Sequence, residues 1–273
     1  MEYYFVVSLV VKVCALQTKI SPQSVLFPTI KKMLADISRE EIDVVCLPEK
    51  WAQHDPKNPH AIDFETCTKF LESLCKEHGI YIIGGAVAEK TAEGDFVTCP
   101  ILDRSGNIIA KQRKIHLYLM ERKRYKRGNT FKIIKTDFGL IGAAICFDLN
   151  AFPEVGRALA REGVEIIFNP VMVSEPGIEN WHVYIKARAL ENRMPICGVN
   201  PIGKTPFGGP LSGESMLIGF KKGHSSPAKL EILAGKKNQE DILIKNIDLK
   251  YPAKLRQERL SEIISFTCEH VEG

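Results

Sequence analysis

The chain reads as an α/β protein of two packed sheets with helices outside, forming a single domain over residues 1–273. Three observations carry that reading. Short β-branched runs alternate with amphipathic segments, the rhythm of βαβ-like units rather than of an all-β or all-helical chain. The strand-like runs outnumber what one compact open sheet holds with short loops, and a second packed sheet accommodates the rest. No Gly/Ser linker, low-complexity tract or short-period repeat divides the chain, and 273 residues suffice for one sizeable core.

The first strand is expected over 5–16. The run Tyr3-Tyr4-Phe5-Val6-Val7-Ser8-Leu9-Val10-Val11 is preceded by Glu2 and interrupted by Lys12, so it suits a buried strand better than a secretory signal core. A helix over 22–39, a strand over 43–47, a helix over 61–78 and a strand over 80–84 follow. Gly84-Gly85 lacks the further glycine and strand–helix setting of a dinucleotide loop and is assigned to close backbone packing. Strands are expected over 97–103, 107–112, 130–136 and 139–146. The helix over 153–162 is punctuated at both ends: Pro153 suits a first helical position, Gly163 a C-terminal cap, and Val155, Ala158 and Leu159 share a face. After a strand over 165–169, the helix over 177–193 gathers Trp181, Tyr184 and Ile185 on one side, read as core or subunit contact. It also spaces Arg188 three residues from Glu191, suited to a local ion pair. Strands over 196–200, 214–219, 228–233 and 241–248 complete the set.

Composition narrows the function classes. A formal net charge of +4 is too mild to imply nucleic-acid binding, and no window of 18 apolar residues suggests a membrane span. The basic run Glu121-Arg122-Lys123-Arg124-Tyr125-Lys126-Arg127 reads as a solvated face, since Tyr125 is its sole stacking aromatic. Neither a nucleic acid nor a membrane is expected as a partner. The eight cysteines are scattered, mostly in apolar runs, with no C-x-x-C pair and no Cys/His cluster. That pattern points to reduced thiols in the cytoplasm and to no metal; Cys14, Cys46 and Cys197 are assigned to buried packing.

Three strand ends carry chemistry. Cys146 closes the apolar run Leu140-Ile141-Gly142-Ala143-Ala144-Ile145, Glu49 follows Leu47-Pro48, and Lys114 follows the strand over 107–112. A thiol, a carboxylate and an ammonium are what a poor electrophile such as an amide carbon requires: a nucleophile, a proton carrier and positive charge for the oxyanion.

The surrounding segments resemble the nitrilase superfamily of carbon–nitrogen hydrolases. The likeness rests on Val44-Val45-Cys46-Leu47-Pro48-Glu49, Arg113-Lys114-Ile115-His116-Leu117-Tyr118 and Gly142-Ala143-Ala144-Ile145-Cys146-Phe147-Asp148 with Phe152-Pro153-Glu154. It continues through Phe168-Asn169-Pro170, Ala187-Arg188-Ala189-Leu190-Glu191-Asn192-Arg193 and Gly213-Glu214-Ser215. The resemblance implies an α-β-β-α four-layer sandwich of two mixed sheets and a Glu49, Lys114, Cys146 triad. It also implies a second glutamate, Glu121, that orients the substrate amide and the Lys114 head. Phe147 is expected to supply an oxyanion-binding backbone N–H, and Tyr118 and Met172 to contact substrate. An ammonium beside the sulfur is expected to favour thiolate. His116 is expected to be a structural hydrogen-bonder rather than a base. No cofactor is called for. Homodimers or larger homo-oligomers are implied, with the tail from about 250, including Ile263-Ile264-Ser265-Phe266-Thr267-Cys268, docking on a neighbour.

Two departures bear on substrate. Many relatives carry an arginine after the nucleophile where this chain has Leu149-Asn150-Ala151, which weakens a carboxylate clamp there. Val171-Met172-Val173 is more apolar than the family's usual residues and suits a small or partly apolar acyl group. The leading expectation is an amidase that releases ammonia from a small linear amide. A carbamoyl-amine or β-ureido hydrolase, or a nitrilase, is the nearest alternative; a catalytically idle metabolite- or partner-binding homologue is the alternative from another class.

Overall fold

The computed structural model describes residues 10–52, 63–205, 208–265 and 267. Strand β1 (Val10–Gln17) sets out the layers, because its alternate side chains enter two different cores. Val11, Val13 and Ala15 lie between the sheets, while Cys14 and Leu16 pack under helices on the outer face. The chain continues through α1 (Gln23–Asp36), β2 (Val44–Cys46), α2 (Phe64–His78), β3 (Tyr81–Ile83), β4 (Val87–Thr91), β5 (Gly94–Leu102) and β6 (Ile108–Arg113). Next come β7 (Ile133–Thr136), β8 (Gly139–Ala143), α3 (Phe147–Asn150), α4 (Pro153–Arg161), β9 (Ile166–Pro170), α5 (Ile178–Asn192) and β10 (Ile196–Val199). The last elements are β11 (Ile202–Lys204), β12 (Pro210–Ser212), β13 (Met216–Ser225), β14 (Ala228–Ala234), β15 (Asp241–Asp248) and α6 (Lys250–Ser261).

The first sheet is seven-stranded, ordered β15-β1-β2-β3-β5-β4, with β6 on the other edge of β5; the second is six-stranded, β14-β13-β10-β9-β8-β7. Both are mixed. β1, β2 and β3 run parallel, as do β8, β9 and β10, and antiparallel strands flank each set. Helices α1 and α2 cover the first sheet and α3 to α5 the second, so the layers stack as the expected α-β-β-α sandwich. Among the described residues no helix is long and apolar enough to cross a membrane.

Local chemistry sets the helix ends. Asp63 caps α2 by accepting from the Thr66 N–H at 2.7 Å, and Gly79 terminates it at φ 64°. Pro153 opens α4 as expected. The expected strand over 5–16 is seen from Val10, and its earlier part lies outside the described residues, as do the first two positions of the helix expected over 61–78.

Several described elements were not expected from the sequence, among them β4, the short pair β11 and β12, and α6. Strand β4 carries Glu89 and Lys90 and shows no apolar alternation, yet Glu89 is buried because Lys111, Arg113 and the Thr98 hydroxyl satisfy its carboxylate. The tail begins as helix α6, held by buried Pro252, Leu255 and Arg256 on its own chain. The Arg256 guanidinium donates to the Arg193 carbonyl at 3.3 Å.

Close packing at Gly84-Gly85 reaches the neighbourhood of Glu49. Gly85 has φ +64°, and a Cβ there would lie 2.1 Å from the Pro48 carbonyl oxygen and 2.5 Å from the Trp51 ring. Gly85→Ala is therefore expected to cost roughly 2–5 kcal/mol, from strained backbone and a displaced Pro48-Glu49 turn. Urea unfolding checks the loss, and the accompanying fall in catalytic rate reports the displaced turn; a variant as stable as wild type sinks the argument.

Candidate active site

The ends of β2, β6 and β8 converge on one cavity. Glu49 follows β2, and its backbone N–H donates to the Val171 carbonyl at 3.1 Å, tying the turn to the other sheet. Lys114 follows β6, held by its own N–H to Val97 and by the Gly128 N–H to its carbonyl, both at 2.8 Å. Cys146 sits between β8 and α3 at φ 44° and ψ −106°, a conformation rare for a residue with a Cβ. Such strain costs on the order of 1–3 kcal/mol and persists because neighbours overdetermine it. Here the Cys146 N–H donates to the Pro170 carbonyl at 2.9 Å.

Two side chains brace that turn. Fully buried Asp148 accepts from the backbone N–H of His116 at 2.7 Å and from that of Ile115 at 3.2 Å, linking the Lys114 segment to the segment carrying Cys146. The His116 ring meets the same carboxylate at 2.9 Å and stacks on Phe152, the structural role expected of it. Arg188 forms the expected pair with Glu191 at 3.4 Å. It also donates to the carbonyls of Leu149 and Asn150, at 3.1 and 3.2 Å, closing the end of α3.

The ionisable groups form a chain of alternating charge. Lys114 Nζ lies 2.7 Å from Glu49 Oε1 and 2.9 Å from Glu121 Oε2. Glu121 stands in a short 3-10 turn over Leu119–Lys123, where the Tyr118 N–H donates to its Oε2 at 3.0 Å. Its other oxygen meets Lys50 Nζ at 2.6 Å. Glu49 and Lys114 are each 1 % exposed, so these contacts act in a poorly screened environment.

Protonation follows from those neighbours. Burial alone would lower the Lys114 ammonium, but Glu49, Cys146 and Glu121 outweigh it and hold the group above its ordinary value. Burial opposes the Glu121 charge, yet Lys114 and then Lys50 bring its carboxyl down to about 2. Burial, reinforced by the Glu49 carboxylate, pushes the Cys146 thiol up to about 12, against the pull of Lys114. Lys114 draws the thiol down, the direction expected of an ammonium beside the sulfur, but desolvation and the facing carboxylate outweigh it and favour the thiol that Glu49 would have to deprotonate.

A cavity of about 360 Å³ is lined by Glu49, Lys114, Glu121 and Cys146, with Tyr118, Met172, Lys50, Leu119 and Met120 among the rest. A second lobe of about 260 Å³ adjoins it at Tyr118, Cys146 and Met172, and adds Phe147, Asn150, Trp181 and Tyr184. Glu49, Lys114, Glu121, Cys146, Phe147, Tyr118 and Met172, the candidate site residues, each line one of the two lobes. Lys50, Leu119, Met120 and Asn150 were not singled out as site residues. For Lys50 the available signal was adjacency to Glu49. Trp181 and Ile185 are core as expected, whereas Tyr184 is 41 % exposed. Cys14, Cys46 and Cys197 are buried. Among the described residues no group of three or more His, Cys, Asp or Glu side chains is placed to hold a metal ion.

Fold and site define the class: an α-β-β-α hydrolase with a thiol, an ammonium and two carboxylates at the ends of its central strands. The Carbon-nitrogen hydrolase family model matches residues 11–257, and the chain belongs to that family of enzymes. An omega-amidase of Xenopus tropicalis is 25% identical over 242 residues, covering 83% of this chain and 84% of the relative. The carbon-nitrogen hydrolase of Helicobacter pylori shares the fold at TM-score 0.79 and 20% identity, over 93% of this chain and 95% of that one. Nit3 of Saccharomyces cerevisiae, a member of the nitrilase superfamily, aligns at TM-score 0.77 and 22% identity, over 91% and 94% of the two chains.

Proposed function

We propose that the chain hydrolyses a small linear amide through a thioester on Cys146, releasing ammonia and a carboxylic acid. The observation that carries this is the cluster Glu49–Lys114–Glu121 facing Cys146 across one cavity. Likeness to omega-amidases supports an amide as the substrate.

Because burial favours the thiol, attack needs a base, and of the two cavity carboxylates Glu49 acts more strongly on the sulfur, Glu121 being held by Lys50 and Lys114. Glu49 takes the thiol proton as the S–C bond forms and the carbonyl π electrons move to oxygen. Lys114 and the Phe147 N–H, which opens α3 directly after the nucleophile, stabilise that oxyanion. The oxyanion collapses, the C–N bond breaks, and nitrogen leaves as ammonia with the proton from Glu49. Water, deprotonated by Glu49, then cleaves the thioester, and the sulfur recovers its proton. Glu121 orients the amide and the Lys114 head from the opposite side. Tyr118 and Met172 contact the acyl group.

Both charged pairs in the cavity are internally satisfied, while Tyr118, Leu119, Met120 and Met172 give its walls an apolar character. That lining favours a small or partly apolar acyl group over a dicarboxylic monoamide. Ammonia release from a panel of monoamides, carbamoyl amines and nitriles, with wild type and Cys146→Ala side by side, tests the proposal. Highest kcat/KM on uncharged monoamides is the expected result; highest kcat/KM on dicarboxylic monoamides contradicts the pocket reading. Best turnover of carbamoyl amines or nitriles selects the neighbouring chemistry, and no release at all favours an idle binding homologue.

The proposal places the enzyme in the cytoplasm as a homodimer or larger homo-oligomer. Seven described cysteines are free, in keeping with a reducing compartment, and Val183 and Tyr184 leave an apolar patch exposed on α5. The tail from about 250 is proposed to extend that association through exposed Ile263 and Ile264 beyond α6; Phe266 and Cys268 lie outside the described residues.

A further inference from the structure

We propose that Lys50 is a positioning residue: it fixes Glu121 and balances the charge of the cavity, so that an uncharged molecule is accepted beside Cys146 without the excess negative charge the two carboxylates would otherwise impose. For catalysis this rests on the amidase reading above; the charge argument does not.

The backbone explains why Lys50 reaches the site at all. Consecutive residues of an extended segment point to opposite sides, so Glu49 in the cavity would send Lys50 away from it. Lys50 instead takes φ 54°, with its N–H donating to the Ala86 carbonyl at 2.7 Å, and the left-handed turn brings both side chains to the same cavity. Trp51 then leaves for the core under α1 and α2, where it is fully buried.

The side chain is committed once there. It is 15% exposed and meets Glu121 Oε1 at 2.6 Å, while Oε2 of the same carboxylate takes Lys114 and the Tyr118 N–H. Glu121 is thereby held at both oxygens. Without Lys50 its carboxylate could rotate about the remaining contacts, and Lys114, shared between Glu121 and Glu49, would lose its fixed position.

Charge counting points the same way. Among the described residues the acidic and basic side chains lining this cavity are Glu49, Glu121, Lys50 and Lys114, beside the Cys146 thiol and the Tyr118 phenol, and the two carboxylates and two ammonium groups cancel. Removing Lys50 leaves one uncompensated negative charge beside the nucleophile. Lys114 cannot offset it, being already committed to Glu49.

The test compares wild type, Lys50→Met and Lys50→Arg by the rate at which iodoacetamide and iodoacetate alkylate Cys146, displacing iodide. The two probes are similar in size and differ in charge, and mass analysis of the Cys146 peptide separates this site from the other thiols. In Lys50→Met the iodoacetate-to-iodoacetamide rate ratio is expected to fall about three- to tenfold, with Lys50→Arg close to wild type. For an uncharged amide, kcat is expected to fall roughly 10- to 100-fold with little change in KM, recovering in Lys50→Arg. A cationic amide is expected to gain relative to the neutral one in Lys50→Met. Circular dichroism and thermal unfolding verify that each variant is folded. An unchanged alkylation ratio in folded Lys50→Met overturns the proposal, as does Lys50→Arg impaired to the level of Lys50→Met. A shifted ratio in Lys50→Met, together with a wild type that hydrolyses no amide, supports the role of Lys50 in setting site charge and refutes the amidase reading instead.

Discussion

Cys146→Ala is expected to lose ammonia release by roughly 10⁴-fold or more while keeping its fold, because the proposed thioester forms on its sulfur. The remaining contacts of that turn are made by the backbone N–H, by Asp148 and by Arg188, none of which uses the sulfur. Intact mass after acid quench gives a second check. Wild type mixed with a turned-over amide should carry one acyl adduct on Cys146, and the alanine variant none. An alanine variant with more than a few per cent of wild-type rate would remove Cys146 from the chemistry.

Lys114→Met is expected to lose roughly 10²–10³-fold in kcat, the usual cost of deleting an oxyanion partner, and about 3–5 kcal/mol of stability at neutral pH. The stability loss is charge-specific. Glu49 and Glu121 share Lys114 between them at 2.7 and 2.9 Å, and without it they face each other as buried like charges. This inverts a pH dependence. In wild type the Glu121 carboxyl is lowered from 4.5 to about 2, so its contribution is complete above about pH 4.5 and lost as pH falls towards 2. In Lys114→Met a carboxyl raised above its unfolded value stabilises only when protonated, and the variant recovers part of its deficit as pH falls from 7 to 5. Urea titrations of both proteins across that range give the sign directly. A deficit that grows on acidification rules out the like-charge explanation.

Much of this site was legible because its parts are local in sequence. Glu49, Lys114 and Cys146 each follow a strand, where α/β folds build their sites, and the short motifs around them carry the family resemblance that singles them out. Glu121 was legible only through the family resemblance of the loop following Lys114. Lys50 was not, because a left-handed residue breaks the alternation by which strand neighbours are assigned to opposite faces. Arg188 read as half of a helical ion pair, since its bonds to the carbonyls of Leu149 and Asn150 span 39 and 38 residues and leave no local trace. Strand β4 escaped for a related reason: Glu89 looks like a surface residue until β5 and β6 bring Thr98, Lys111 and Arg113 to it.

The sequence by itself determined the α/β class, the sandwich order and the family, because hydrophobic periodicity and short motifs depend on residues close together in the chain. Tertiary structure decided the burial that pushes the Cys146 thiol up, the second hold on Glu121 and the charge balance of the cavity. Those depend on burial and on distances between residues such as Lys50 and Glu121, 71 positions apart, and neither quantity exists until the two sheets have packed.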